Sequence, residues 1–250
     1  MVMSSRFGRN KKESCADGLD RETPFRDAYV DEAQAIRYRD KFAASRFRRF
    51  ADRRERRQVR RLLDRAAVGG GLVLDVPSGA GRFLGEATGR GRRVVAGDSS
   101  ATMLRLGCVA GARLAGWVGA VALSAMRLPF RDGAFDGVVC IRFLHHFETP
   151  EERAEVLASL RRVSRDWVVV SFFASGSIQA FRRDIRRRWF GRPSRRYAIP
   201  RRVFVREAER AGLRVESLRS SFRGCSEWSV ALLRRVGGAT EGDRGRPPGQ

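Results

Sequence analysis

The chain has 250 residues, with 51 Lys or Arg against 28 Asp or Glu and a formal net charge of +23. That length suffices for one α/β domain with a substantial core, and the lack of any run of 18 apolar residues excludes a spanning helix. The charge implies attraction to polyanions, so weak binding to nucleic acid or to an anionic membrane surface is expected at low salt. Yet Lys11, Lys12 and Lys41 are the only lysines and Arg is spread along the whole chain, which reads as compositional bias as much as a phosphate grip.

Residues 1–26 are polar and unpatterned and read as a disordered basic tail. They lack an apolar signal core. The four cysteines have no metal or redox spacing, so no metal is expected and a reduced, cytoplasmic protein is the default. Residues 27–70 have a helical pattern, with Phe47, Phe50, Val59, Leu62 and Leu63 on the apolar face and Arg elsewhere. Val73-Leu74-Asp75 then reads as a short strand ending in an acid. Pro77, Gly79 and Gly81 follow as a turn into a helical pattern. Glycine lets the backbone approach a ligand closely, and a helix N-terminus offers free N–H groups.

Arg92 to Gly97 reads as the second strand, closed by Asp98-Ser99, and Ser99-Ser100 caps the next helix. Trp117–Leu123 and Ala134–Ile141 are the third and fourth strands. A helix over Glu151–Val163 opens on Thr149-Pro150, and Asp166–Phe173 is a continuous apolar strand of the buried kind. Residues 175–199 form an insertion in which Ile178, Phe181, Ile185 and Trp189 recur at helical spacing among arginines. It reads as a lid over the strand ends, with an anionic-membrane contact or a structural cover as the alternatives. Pro200–Ala211 is a helix stopped by Gly212, and Leu213–Phe222 pairs with Glu227–Arg235 as a hairpin. Residues 237–250 are a second tail, leaving a domain over 27–236. Strands alternating with helices give a Rossmann-like, doubly wound α/β sheet.

Two cofactor classes compete for the glycine turn. A dinucleotide site wants a third glycine, but Leu84 stands there. The run Asp75-Val76-Pro77-Ser78-Gly79-Ala80-Gly81-Arg82 resembles motif I of the class I S-adenosylmethionine (SAM) methyltransferases. Asp98-Ser99-Ser100-Ala101-Thr102-Met103-Leu104 is similar to that family's second motif. Leu128-Pro129-Phe130-Arg131-Asp132-Gly133-Ala134-Phe135-Asp136 and the pair His145-His146 match the segments around its fourth strand. These matches cover residues 72–150.

The resemblance implies a seven-stranded sheet of order 3-2-1-4-5-7-6 with its last strand antiparallel, and SAM as cofactor. Asp75, Pro77, Gly79 and Gly81 would meet its methionine part, with Arg82 or Arg142 on the carboxylate. Asp98 and Ser99 would hold the ribose. Met103 and the stretch Ser124, Ala125 and Met126 would border the adenine. Ser124 stands where the family often has Asp, so adenine recognition should be weaker. His145 or His146 could act as general base. The reading that follows is methyl transfer to a small-molecule acceptor, amphiphilic ones included. The alternatives are an RNA methyltransferase and a catalytically silent SAM-binding or scaffold protein.

Overall fold

A computed structural model describes residues 32–67, 69–178, 181, 185, 189, 196–221 and 226–237. The expected tails lie outside these residues, as does most of the 175–199 insertion. Two N-terminal helices come first, α1 (Glu32–Asp40) and α2 (Arg46–Ala66). Ser45 starts α2 by accepting a hydrogen bond from the Arg48 N–H.

Eight strands form one sheet: β1 (Leu72–Asp75), β2 (Arg93–Asp98), β3 (Trp117–Ala122), β4 (Phe135–Cys140), β5 (Ser164–Ala174), β6 (Ala198–Ile199), β7 (Leu213–Ser220) and β8 (Trp228–Arg235). The order β3-β2-β1-β4-β5-β8-β7 is the one expected once the two-residue β6, which pairs with the end of β5, is counted. Strands β1 to β5 are parallel, and β8 lies antiparallel between β5 and β7. The sheet reverses direction of winding between β1 and β4, and the carboxyl ends of strands at such a point open a crevice.

The connecting helices are α3 (Leu84–Ala87), α4 (Ala101–Gly111), α5 (Pro150–Val163) and α6 (Arg201–Arg210). Ser100 caps α4, and Thr149 with Glu152 forms a complete capping box on α5. The helix expected after the glycine turn is a single turn. Phe83 makes no side-chain cap, and Gly85, Gly89 and Gly91 crowd the segment with poor helix formers. So short a helix contributes little dipole to anion binding.

Alternation along β5 builds two cores. Val168, Val170 and Phe172 face α5 and α6, joining Val156, Leu157, Leu160 and Phe204. Trp167, Val169 and Phe173 face the other layer, joining Val59, Leu62 and Leu63 of α2. Only the second half of α2 is inside. Phe47 and Phe50 are exposed, because the first half of the helix runs past the edge of the layer that buries Val59. Arg92, expected as the first residue of β2, is fully buried just before it. Its guanidinium donates to the carbonyls of Leu63, Glu86 and Ala87, which close α2 and α3.

Candidate active site

The glycine turn joins β1 to α3 at the carboxyl edge of the sheet. Gly79 and Gly81 have φ of 55° and 77°, in the left-handed region that side chains disfavour. A Cβ at Gly81 would lie 2.7 Å from Leu84 Cδ1 and 3.2 Å from Gly107 Cα, so this glycine serves the packing of the turn on α4. A Cβ at Gly79 would meet only Met103 Cε, at 3.4 Å. The two positions therefore separate. Gly81→Val is expected to lower stability by about 1–3 kcal/mol by overpacking. Gly79→Val should cost less stability and more ligand affinity, and thermal melts beside titration calorimetry would show the split.

Asp98 ends β2, and its carboxylate fixes the turn. Oδ2 accepts from the Gly79 N–H at 2.8 Å and Oδ1 from the Ser100 N–H at 2.9 Å. Burial pushes its carboxyl up, while bonds from the backbone of Ser100, Gly79 and Ser99 hold it down. About one lone pair remains for a hydroxyl donor.

A cavity of about 570 Å³ opens here. Its floor includes Pro77, Gly79, Gly81, Asp98, Ser99 and Met103, and its far wall carries Arg142 and His146. Tyr38 and Phe42, from α1 and the turn after it, close the other side. The cavity size lies in the usual range for small-molecule sites.

Other expected residues lie elsewhere. Asp75 is buried behind the turn and does not line the cavity, and its Oδ2 has no hydrogen-bond partner among the described residues. Ser124 accepts from the Met126 N–H, and Ala125 and Met126 are buried in the core. None of the three borders the cavity, because the apolar residues of this stretch turn inward. His145 stacks on Phe173, with ring centroids 4.0 Å apart. Only His146 of the pair borders the cavity.

Burial pushes the Asp75 carboxyl up to about 8, helped by the charges of Asp98 and Glu86, from an ordinary 3.8. The folded protein thus keeps a proton that the unfolded chain releases. The stability carried by that proton is present in full below about pH 4. It falls by about 1.4 kcal/mol per pH unit until it is lost near pH 8. Asp75→Asn should flatten this slope, which denaturant melts at pH 5 and pH 8 would reveal.

Arg82 and Arg142, expected near a cofactor carboxylate, are held by acids of α2. Arg82 donates to Asp52 at 2.7 Å and Glu55 at 2.6 Å, and Arg142 donates to both oxygens of Glu55 at 2.6 and 2.7 Å. Arg56 bridges Asp52 to Glu86. Arg142 has φ of 63°, a strained backbone for a side-chain residue, and its N–H donates to Ser171 Oγ at 2.6 Å. This network fastens α2 across the strand ends. It also forms the partition to a second cavity of about 520 Å³, which shares Phe42, Asp52, Arg82 and Arg142 with the first.

Helices before the first strand are expected to cover substrate or pack on the domain, but the sequence does not single out the acids that anchor them here, Asp52 and Glu55, in a helix crowded with Arg.

A family model described as a methyltransferase domain matches residues 74–169. This stretch is similar to a methyltransferase domain. The matched span runs from β1 into β5 and contains the glycine turn, Asp98 and both histidines. A demethylmenaquinone methyltransferase of Thermobifida fusca is 39% identical over 104 residues, which span 40% of this chain and 41% of that protein. The match therefore covers well under half of that relative. Among solved structures, the magnesium protoporphyrin IX methyltransferase of Synechocystis with bound S-adenosylhomocysteine (SAH) superposes with a TM-score of 0.71. The identity is 16%, and the fit covers 86% of this chain and all of that one. The 1,6-didemethyltoxoflavin-N1-methyltransferase of Burkholderia thailandensis, with its namesake ligand and SAH bound, gives 0.64 at 18% identity over 90% and 93%. At these identities the likeness is one of fold alone.

Proposed function

We propose that the chain transfers a methyl group from SAM to a small-molecule acceptor. The observation that carries this reading is the pair of cavities meeting at one partition over the carboxyl ends of the strands. One cavity suits a cofactor and the other an acceptor. The three relatives support it, since each is named for a small organic acceptor.

The residues of the first cavity fit the cofactor. Gly79 exposes backbone where a side chain would intrude, and Asp98 offers a carboxylate lone pair to a ribose hydroxyl. SAM would supply a methyl carbon bound to a sulfonium, the reactive centre of the chemistry. The chain's task is to hold an acceptor atom in line and to exclude water. The Asp52–Arg82–Glu55–Arg142 partition positions the two ligands, and Phe42 covers their junction. His146, at the edge of the first cavity, is placed to take a proton from an acceptor hydroxyl or amine.

Incubation with methyl-labelled SAM and a fractionated cell extract tests the reading. Label is expected in a low-molecular-weight organic fraction. Label in RNA would favour the Arg-rich surface as a nucleic-acid grip. Binding of SAH without any transfer would mark a catalytically silent domain.

A second reading concerns membrane contact. The helical residues Ile178, Phe181, Ile185 and Trp189 are all exposed, Trp189 by 80%, and none of them lines either cavity. Arginines lie between them in sequence. This pattern favours an interfacial anchor over a lid for the insertion. Sedimentation with anionic vesicles tests it, and loss of binding in a Phe181→Ala/Trp189→Ala variant is the expected result.

A further inference from the structure

The second cavity has a composition of its own. Phe42, Phe47, Phe173 and Trp228 give it apolar, flat walls. Five cations border it: Lys41, Arg48, Arg82, Arg142 and Arg196. Three carboxylates border it as well, Asp52, Glu55 and Glu227, so the cations outnumber them, and Asp52 and Glu55 are held by Arg56, Arg82 and Arg142. The cavity is thus electropositive.

We infer that the second cavity binds an acceptor with a flat conjugated ring bearing a carboxylate or comparable anionic oxygen group, the ring against Phe42 and Phe47 and the anion toward Lys41 and the arginines. This inference rests on the methyltransferase reading and names the acceptor class for it.

Lys41 makes the inference specific. Its ammonium lies over the Tyr38 ring, 3.4 Å from the centroid, and 4.9 Å from that of Phe42. Burial, helped by the charges of Arg142, Arg196, Arg82 and Arg48, pushes its pKa down to about 7. The groups bordering the cavity around it are Arg48, Asp52 and Glu55 of α2, Arg82 of the glycine turn, Arg142 after β4, Arg196 before β6 and Glu227 before β8. A bound anion would restore the charged form of Lys41. Below pH 7 the lysine is already charged, and binding takes up no proton. Above pH 7 binding must draw a proton onto Lys41, so affinity for the anion falls as pH rises.

The test is titration calorimetry of the full chain saturated with SAH. The probes are 1-hydroxy-2-naphthoate and its uncharged amide, 1-hydroxy-2-naphthamide. The naphthoate is expected to bind at least tenfold more tightly at pH 6.5, and this preference should shrink about tenfold or more by pH 8.5. Lys41→Arg should keep the preference at both pH values, and Lys41→Gln should lose most of it at both. Near-UV circular dichroism checks that the variants fold, and the flat profile of Lys41→Arg carries the test should Lys41→Gln fail to. Equal affinity for acid and amide, no binding of either, or a preference indifferent to pH and to Lys41→Gln would overturn the inference. Failure of SAH itself to bind would instead overturn the parent reading.

Discussion

Asp98→Ala is expected to weaken SAH binding roughly a hundredfold, about 3 kcal/mol, with a parallel loss of stability. Two effects combine. The variant loses the carboxylate that would accept a ribose hydroxyl. It also leaves the part-buried Gly79 N–H and the buried Ser100 N–H without acceptors, so the glycine turn is no longer held in its binding shape. Asp98→Asn keeps one acceptor oxygen and should fall between the two. Calorimetry with SAH and thermal melts measure both effects. An unchanged dissociation constant in Asp98→Ala would remove this residue from the site.

The largest stability effect should come from the far side of the sheet. Arg153 of α5 and Glu207 of α6 form a buried, two-bonded ion pair at 2.7 and 3.0 Å. The same guanidinium also donates to the carbonyls of Phe147 and Glu148. Glu207→Ala strands this charge in the interior and is expected to cost about 3–5 kcal/mol in denaturant melts. Arg153→Leu combined with Glu207→Leu should recover part of that loss, because neither charge is then buried alone. Full recovery is not expected, since the two carbonyls lose their donor. A single-variant loss under about 1 kcal/mol would show that the pair is effectively solvated.

The parts of the fold legible in the sequence were those coded locally. Val73 to Gly81 is a strand and turn because apolar β-formers, an acid and glycines follow one another within nine residues. The capping of α4 and α5 was equally readable, since Ser100 and Thr149 act on their own helices. The order of the sheet came through the family resemblance. The helix after the glycine turn was legible as a helix start but not in its length, which the following Gly85, Gly89 and Gly91 cut to one turn.

What stayed hidden depends on contacts between distant segments. Phe47 and Val59 share one helical stripe, yet only Val59 meets the sheet, and the path of α2 decides that. Arg142 looked free to meet a cofactor, but Glu55, 87 positions away, holds it. Lys41 was one charge among 51 basic residues until the fold set it between two aromatic rings and four arginines.

The central claim is that the cavity at the glycine turn is built for SAM. The most direct measurement is titration calorimetry of the full chain with SAH and, separately, with NAD. One-to-one binding of SAH is expected, weakened by Gly79→Val and by Asp98→Ala, with no heat from NAD. Saturable NAD binding with none for SAH would contradict it.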